Sequence, residues 1–242
     1  MIDAPRCLAA LEATWPPAAT RRAGPWRLRD GAGGGKRVSA ATAEGPIAPA
    51  DLALTDGLVM LRPGEDAVDA VCADAGWEIV DPTVLMAGDA AALAGSAATA
   101  GVYDADAPLA AQVEVWAGGG IGPARLAVMD RVAGPKSFLV GRLGDRVAGA
   151  AFVAMDGDVA MLHALEVRPD ARRRGLGAQL AAGAADWAAA RGARALTLAV
   201  TRANAGARAL YAAAGMTEVG AYHYRRAPGR RARPRSSRSW WP

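Results

Sequence analysis

An apolar strand that breaks into RRRGLG and then into a helix constrains this chain more than any other feature. Residues 158–167, DVAMLHALEV, form a short apolar run bounded by turn residues, which predicts a buried strand. From Leu176 onward, Leu176, Leu180, Ala184 and Trp187 recur at three and four, which predicts a helix over 176–191. Between them stand Arg172, Arg173, Arg174, Gly175, Leu176 and Gly177. The two glycines let the backbone turn and let a ligand come close. The amides that open a helix lack carbonyl partners, and the positive end of the helix dipole lies there. With three arginines added, the junction suits an anion. A solvent-exposed basic turn that only starts the helix is the other reading of the same residues.

The surrounding pattern extends this junction into a layered fold. Helices are predicted at 108–117 and 121–133, and strands at 136–142 and 146–155 with Gly-Asp turns. A strand at 194–200, a helix at 204–214 and a strand pair over 216–226 follow. Strands, then helix, then strand, with tight connections, predict an α/β protein of the α+β type: a mixed central sheet flanked by helices. The first half reads as a helix at 3–15, a hairpin at 25–43, a strand at 57–62, a helix at 64–75 and a strand pair over 77–87 broken at Pro82. The small-residue segment 88–101 is the expected boundary between two domains.

The stretch Asp30–Ser39, DGAGGGKRVS, invites comparison with a phosphate-binding loop. The nucleotide pattern G-x-x-x-x-G-K-[ST] fails, because Asp30 stands at the first position and Arg37 where Ser or Thr is needed. A glycine-rich turn joining two strands is the plainer reading. Contact with an anion through Lys36 and Arg37 is the alternative.

Charge is local. The net charge is +4, and Pro228–Pro242 holds five arginines and no acid, which leaves −1 for the rest. Such a tail reads as a basic, disordered end, with an RNA, lipid or partner contact as its other possible use. Cys7 and Cys72 have no metal or redox spacing, so no metal is expected and a reducing cytoplasm suits the chain. The first residues lack a long apolar core, and no run approaches the roughly eighteen apolar residues of a membrane span, so neither a signal peptide nor a membrane contact is expected.

Over about residues 121–226 the chain resembles the GNAT superfamily of acetyl-CoA-dependent N-acetyltransferases. Arg172-x-x-Gly175-x-Gly177 resembles that family's pyrophosphate loop, and Asn204 to Met216, NAGARALYAAAGM, resembles its later N-x-x-A-x-x-L-Y-x-x-x-G-F pattern, with Met216 in place of Phe. The resemblance implies acetyl-CoA as cosubstrate and acetyl transfer to a small-molecule or peptide amine by direct attack. It implies cofactor contacts at Leu165 and Val167 on the strand, at Arg172, Arg173, Arg174, Gly175, Leu176 and Gly177 in the loop, and at Asn204. Tyr211 would protonate the departing sulfur, with a buried, hydrogen-bonded tyrosine as the plainer role.

The family often places an acid where Met161 stands here, so His163 is the expected base; strand alternation sets its ring on the side of Leu165 and Val167. Glu166 is the runner-up if the strand is bulged. A structural, satisfied histidine, and a catalytically drifted CoA-binding or partner-docking module, are the corresponding alternatives. GEDAVDAVCADAGWEIV echoes NAGARALYAAAGMTEVG, so residues 1–98 are read as a cut-down acetyltransferase-like domain, or an unrelated small α+β domain. Residues 99–227 are read as the catalytic domain and 228–242 as the tail.

Overall fold

Each half of the chain contributes a strand–helix–strand unit, and the two units interlock within one sheet. The computed structural model describes residues 2–95, 97 and 99–229. The basic stretch from Arg230 onward, on which the expectation of a disordered tail rests, lies outside them.

Helix α1 (Ala4–Thr14) begins where the Asp3 side chain accepts from the Arg6 amide, with Pro5 in the first turn. Strands β1 (Ala19–Ala23), β2 (Trp26–Asp30) and β3 (Thr42–Ala43) form a small antiparallel sheet in that order. Then come β4 (Leu58–Leu61), α2 (Asp66–Asp74), β5 (Glu78–Asp89) and the short α3 (Ala90–Leu93). The second half supplies β6 (Val102–Ala105), α4 (Ala110–Gly118), α5 (Pro123–Asp130), β7 (Lys136–Leu143), β8 (Arg146–Asp156) and β9 (Val159–Val167). It closes with α6 (Leu176–Ala189), β10 (Ala195–Thr201), α7 (Ala205–Ala213) and β11 (Thr217–Arg226).

The main sheet runs β4-β11-β5-β10-β9-β8-β7-β6. Strand β5 lies between β10 and β11, antiparallel to both, and β11 lies between β5 and β4. Each strand–helix–strand unit is therefore split by a strand of the other. This changes the expected boundary at residue 98: the sheet crosses it, because β10 and β11 leave a gap that β5 fills. The expected strand pairs at 77–87 and 216–226 are single strands, bent by irregularities in their mutual pairing.

Alternation along the strands divides the core into two layers. Ala160 and Leu162 face α6 and α7, together with Met86, Val153 and Leu198. Met161 faces α1, as do Leu85 and Tyr222. Phe152 and Ala154 face α4 and α5 through Trp116 and Val128. Helix α6 sits close to the sheet because Gly149 lies beneath it: a Cβ there would stand 2.8 Å from Leu180 Cδ1. Burying side chains such as Leu180 contributes about 1.5–3 kcal/mol each.

Candidate active site

The two parallel strands at the centre of the sheet separate. Strands β9 and β10 pair from Val159↔Ala195 to Leu162↔Leu198 and no further, although β9 continues to Val167 and β10 to Thr201. A gap at the carboxyl ends of parallel strands is where open α/β sheets receive ligands.

The reason for the separation lies in β9. Ala164 takes φ +50, a left-handed conformation that costs a non-glycine residue energy, and two residues of β9 bulge opposite Ala151. Trp116 Nε1 donates to the Ala164 carbonyl at 2.7 Å and holds the bulge. The bulge also switches faces. Leu165 and Val167 pack toward α6, whereas His163 and Ala164 face the α1 and α4 side. The expected register, with His163 on the side of Leu165 and Val167, is thus corrected.

His163 is buried. Thr14 donates its hydroxyl to the Ala10 carbonyl (2.6 Å), so its oxygen accepts from His163 Nε2 at 2.8 Å. Arg37 Nη1 stands 3.4 Å from the other ring nitrogen, and Trp15 stacks on the ring at 4.9 Å between centroids. Burial, and then the Arg37 cation, push its pKa well below the ordinary histidine range, so the imidazole is neutral. Both nitrogens are engaged, and the ring is not part of the lining of the cavity at the gap. Glu166 accepts from Arg172 at 3.0 Å, outside that space.

The RRRGLG junction is open. Arg172, Arg173, Arg174 and Gly175 are exposed; Arg173 has φ +61 and Gly175 φ +82. Arg172 is bound to Glu166 and donates Nε to the Val167 carbonyl at 3.0 Å, which ties the loop back to β9. The first helical bond at this end runs from the Gln179 amide to the Gly175 carbonyl. Among the described residues, the amides from Arg173 to Ala178 donate to no backbone carbonyl. A Cβ on Gly175 would meet nothing within 4 Å, whereas one on Gly177 would stand 2.9 Å from Leu210 of α7. Gly175 thus leaves room for a ligand, and Gly177 lets α7 close on the loop.

Asn204 caps α7, its side chain accepting from the Ala207 amide at 3.1 Å. Tyr211 is buried about two turns further on, within the layer of α6, and burial raises its pKa to about 12. It stays a protonated phenol at neutral pH.

The opposite mouth of the gap holds a cavity of about 260 Å³. Ala164, Ala199 and Thr201 of the parted strands form its floor, and Tyr222, Tyr224 and Asp81 flank it. Gly34, Gly35, Lys36 and Arg37 close it from above. The stretch DGAGGGKRVS is therefore more than a turn: after β2 it coils into a short 3-10 helix at Lys36–Val38, and its end faces the sheet gap. Sequence reasoning noticed Lys36 and Arg37 as possible anion contacts but passed over Asp81, Tyr222 and Tyr224. The alternation in YHY, which puts Tyr222 and Tyr224 on one face, was the available signal.

Parted parallel strands, a cluster of amides without backbone partners at the start of the next helix and a buried tyrosine follow one another along the second half. Residues 119–216 match the model of the acetyltransferase (GNAT) family. This stretch is a GNAT acetyltransferase domain. No curated protein sequence matches the chain. The chain is similar to a GCN5-related N-acetyltransferase from Kribbella flavida, at 21% identity and TM-score 0.70 over 93% of this chain and 96% of that one. It is also similar to an acetyltransferase from the GNAT family of Novosphingobium aromaticivorans, at 22% identity and TM-score 0.58 over 92% and 95%. A tandem GNAT protein from the clavulanic acid biosynthesis pathway matches at 15% identity and TM-score 0.56 over 93% and 88%. These likenesses concern the fold and extend beyond the GNAT domain into the first half. Among the described residues, no group of three or more His, Cys, Asp or Glu could hold a metal, and no helix is long and apolar enough to cross a membrane.

Proposed function

We propose that the GNAT domain transfers an acetyl group from acetyl-CoA to a primary amine, and the observation that carries this is the run of free amides at Arg173–Ala178 beside the parted strands. The residues fit such a cosubstrate. The amides, at the positive end of α6, would hold a pyrophosphate, with Arg173 and Arg174 adding charge. The edge of β9 that β10 leaves at Leu165 and Val167 would hydrogen-bond an extended arm through the groups that Arg172 does not occupy, and Asn204 stands at the near end of α7.

Bound acetyl-CoA would supply an activated acyl carbon, to which the amine nitrogen bonds as the carbon–sulfur bond breaks, with one proton leaving nitrogen and one reaching sulfur. Tyr211, kept protonated by burial, would give the proton to sulfur. The Leu165 amide would stabilise the oxygen as charge develops on it. His163 and Glu166 do not line the cavity, and the carboxylate that does, among the described residues, is Asp81; we assign it the amine's proton. His163 then acts as a support for Arg37 and Trp15. The cytoplasm is the compartment in which acetyl-CoA would meet the protein.

The test is release of free thiol from acetyl-CoA with a mixed panel of amines, alongside calorimetry of acetyl-CoA binding. Amine-dependent thiol release with measurable binding supports the reading. Absence of binding overturns it, and binding without thiol release from any amine favours the docking-module alternative.

A further inference from the structure

Among the described residues, Lys36, Arg37, Arg125 and Asp81 are the charged residues that line the cavity over the sheet gap. Lys36 is ion-paired with Asp81. Arg37 is different. Its neighbours are the phenols of Tyr222 and Tyr224 and the neutral ring of His163, none of them an anion. Among the described residues it has no salt bridge, and its Nε is buried without a hydrogen-bond partner.

A guanidinium cannot shed its proton, so this charge persists at any working pH. A partly desolvated cation without a counter-ion beside a cavity gains when a ligand anion arrives. The planar fork matches a carboxylate, and the phenols beside it can donate to the same oxygens. The Asp81 carboxylate, ion-paired with Lys36, lines the same cavity, and a carboxylate suits an ammonium. Asp81 itself is held at φ +46, next to Pro82, and such strain collects at binding sites. A volume of about 260 Å³ suits a small molecule.

We infer that the acceptor is a small amino carboxylate, its carboxylate held by Arg37 and its amine directed by Asp81 toward the gap between β9 and β10. This rests on the acetyl-transfer reading and names its substrate class. A polyamine would bring further positive charge to Arg37, and a phosphate dianion would meet Asp81, so neither suits the lining.

Binding can be measured without turnover. The full chain is saturated with CoA, and calorimetry follows matched pairs that differ only in the carboxylate: alanine and ethylamine, leucine and isoamylamine, lysine and cadaverine, with aminoethylphosphonate and spermidine as further probes. The expected result is at least tenfold tighter binding of one amino acid than of its decarboxylated partner. That preference should fall to less than threefold in Arg37→Gln, while CoA affinity stays within twofold. Arg37→Lys, which keeps charge but loses the fork, should fall between; the wild-type pairs decide the matter even if a variant fails to fold. CoA binding with no carboxylate preference, or with preference for spermidine or the phosphonate, overturns the inference alone. Failure to bind CoA overturns the acetyl-transfer reading beneath it.

Discussion

The units β4-α2-β5 and β10-α7-β11 share a backbone plan and differ in what they carry. Both helices end on a left-handed glycine, Gly76 with φ +74 and Gly215 with φ +101. In both, the residue after it returns its amide to a carbonyl five residues back: Trp77 to Cys72 and Met216 to Tyr211, each at 3.0 Å. Tyr211 of one unit thus corresponds to Cys72 of the other. Both side chains are buried, but Cys72 lies among Trp26, Leu61 and Trp77, whereas Tyr211 lies beside α6 and the parted strands. The entry turns diverge too. Glu65 accepts from the Arg62 amide at 2.7 Å, which closes the turn on itself, while Asn204 caps its helix. The parallel neighbour of β4 is a single bridge, Ala41↔Val59, where β10 has β9 and the loop that follows it. The same local plan therefore makes packing in one place and a candidate cosubstrate site in the other, according to the strand beside it.

The largest effect should come from separating the units. Because β5 fills the gap between β10 and β11, cutting the chain at residue 98 should leave neither 1–98 nor 99–242 with cooperative unfolding, as followed by circular dichroism. A cooperatively folded 99–242 fragment that binds acetyl-CoA would show that the interlocking is dispensable.

Next in size is the tyrosine that has no counterpart. Tyr211→Phe keeps the ring and removes the proton donor, so turnover should drop about 10²–10⁴-fold with acetyl-CoA affinity little changed. Cys72→Ala, at the matching position, should leave kcat within about twofold. A loss below threefold in Tyr211→Phe makes Tyr211 a packing residue like Cys72.

A smaller effect compares two glycines. Gly175 (φ +82) and Gly64 (φ +85) share a conformation, and a Cβ at either meets nothing within 4 Å. Aspartate adds similar backbone strain at both but places a negative charge beside the amide cluster only at Gly175. Acetyl-CoA affinity should weaken at least tenfold, about 1.4 kcal/mol, in Gly175→Asp and stay unchanged in Gly64→Asp. Equal behaviour of the two variants by calorimetry would remove the loop from the binding site.

The smallest effect concerns His163. The folded protein holds it neutral, while the unfolded chain takes up a proton near pH 6.5. Below that pH the unfolded state binds more protons, so stability should fall as pH falls, by up to about 1.4 kcal/mol per pH unit. Chemical denaturation between pH 5 and 7.5 should show this slope in the wild type and a shallower one in His163→Gln. An identical slope would mean that the ring protonates in place.

The strand–RRRGLG–helix junction was legible because its signals are local: apolar runs, helical spacing and glycines act within a few residues of one another. The cap at Asn204 and the ends of α6 and α7 follow from the same local rules. The face on which His163 lies was not legible. Alternation assigned it to the side of Leu165, and the Ala164 bulge, held by Trp116 from a distant helix, reversed that. The role of DGAGGGKRVS was half legible, since its cations were visible but not the cavity they close.

What the sequence determined by itself was the set of elements, their order and the anion-seeking loop, because hydrophobic period and backbone chemistry act at short range. Only the tertiary structure decided which strands become neighbours. Strand β5 reads the same whether it pairs with β4 or enters between β10 and β11, since every strand offers the same backbone donors and acceptors. That choice places Asp81 from the first half beside Tyr222 and Tyr224 from the second, under Arg37, and so assembles the cavity. Its charge balance is a sum over residues far apart in the chain, which no local pattern contains.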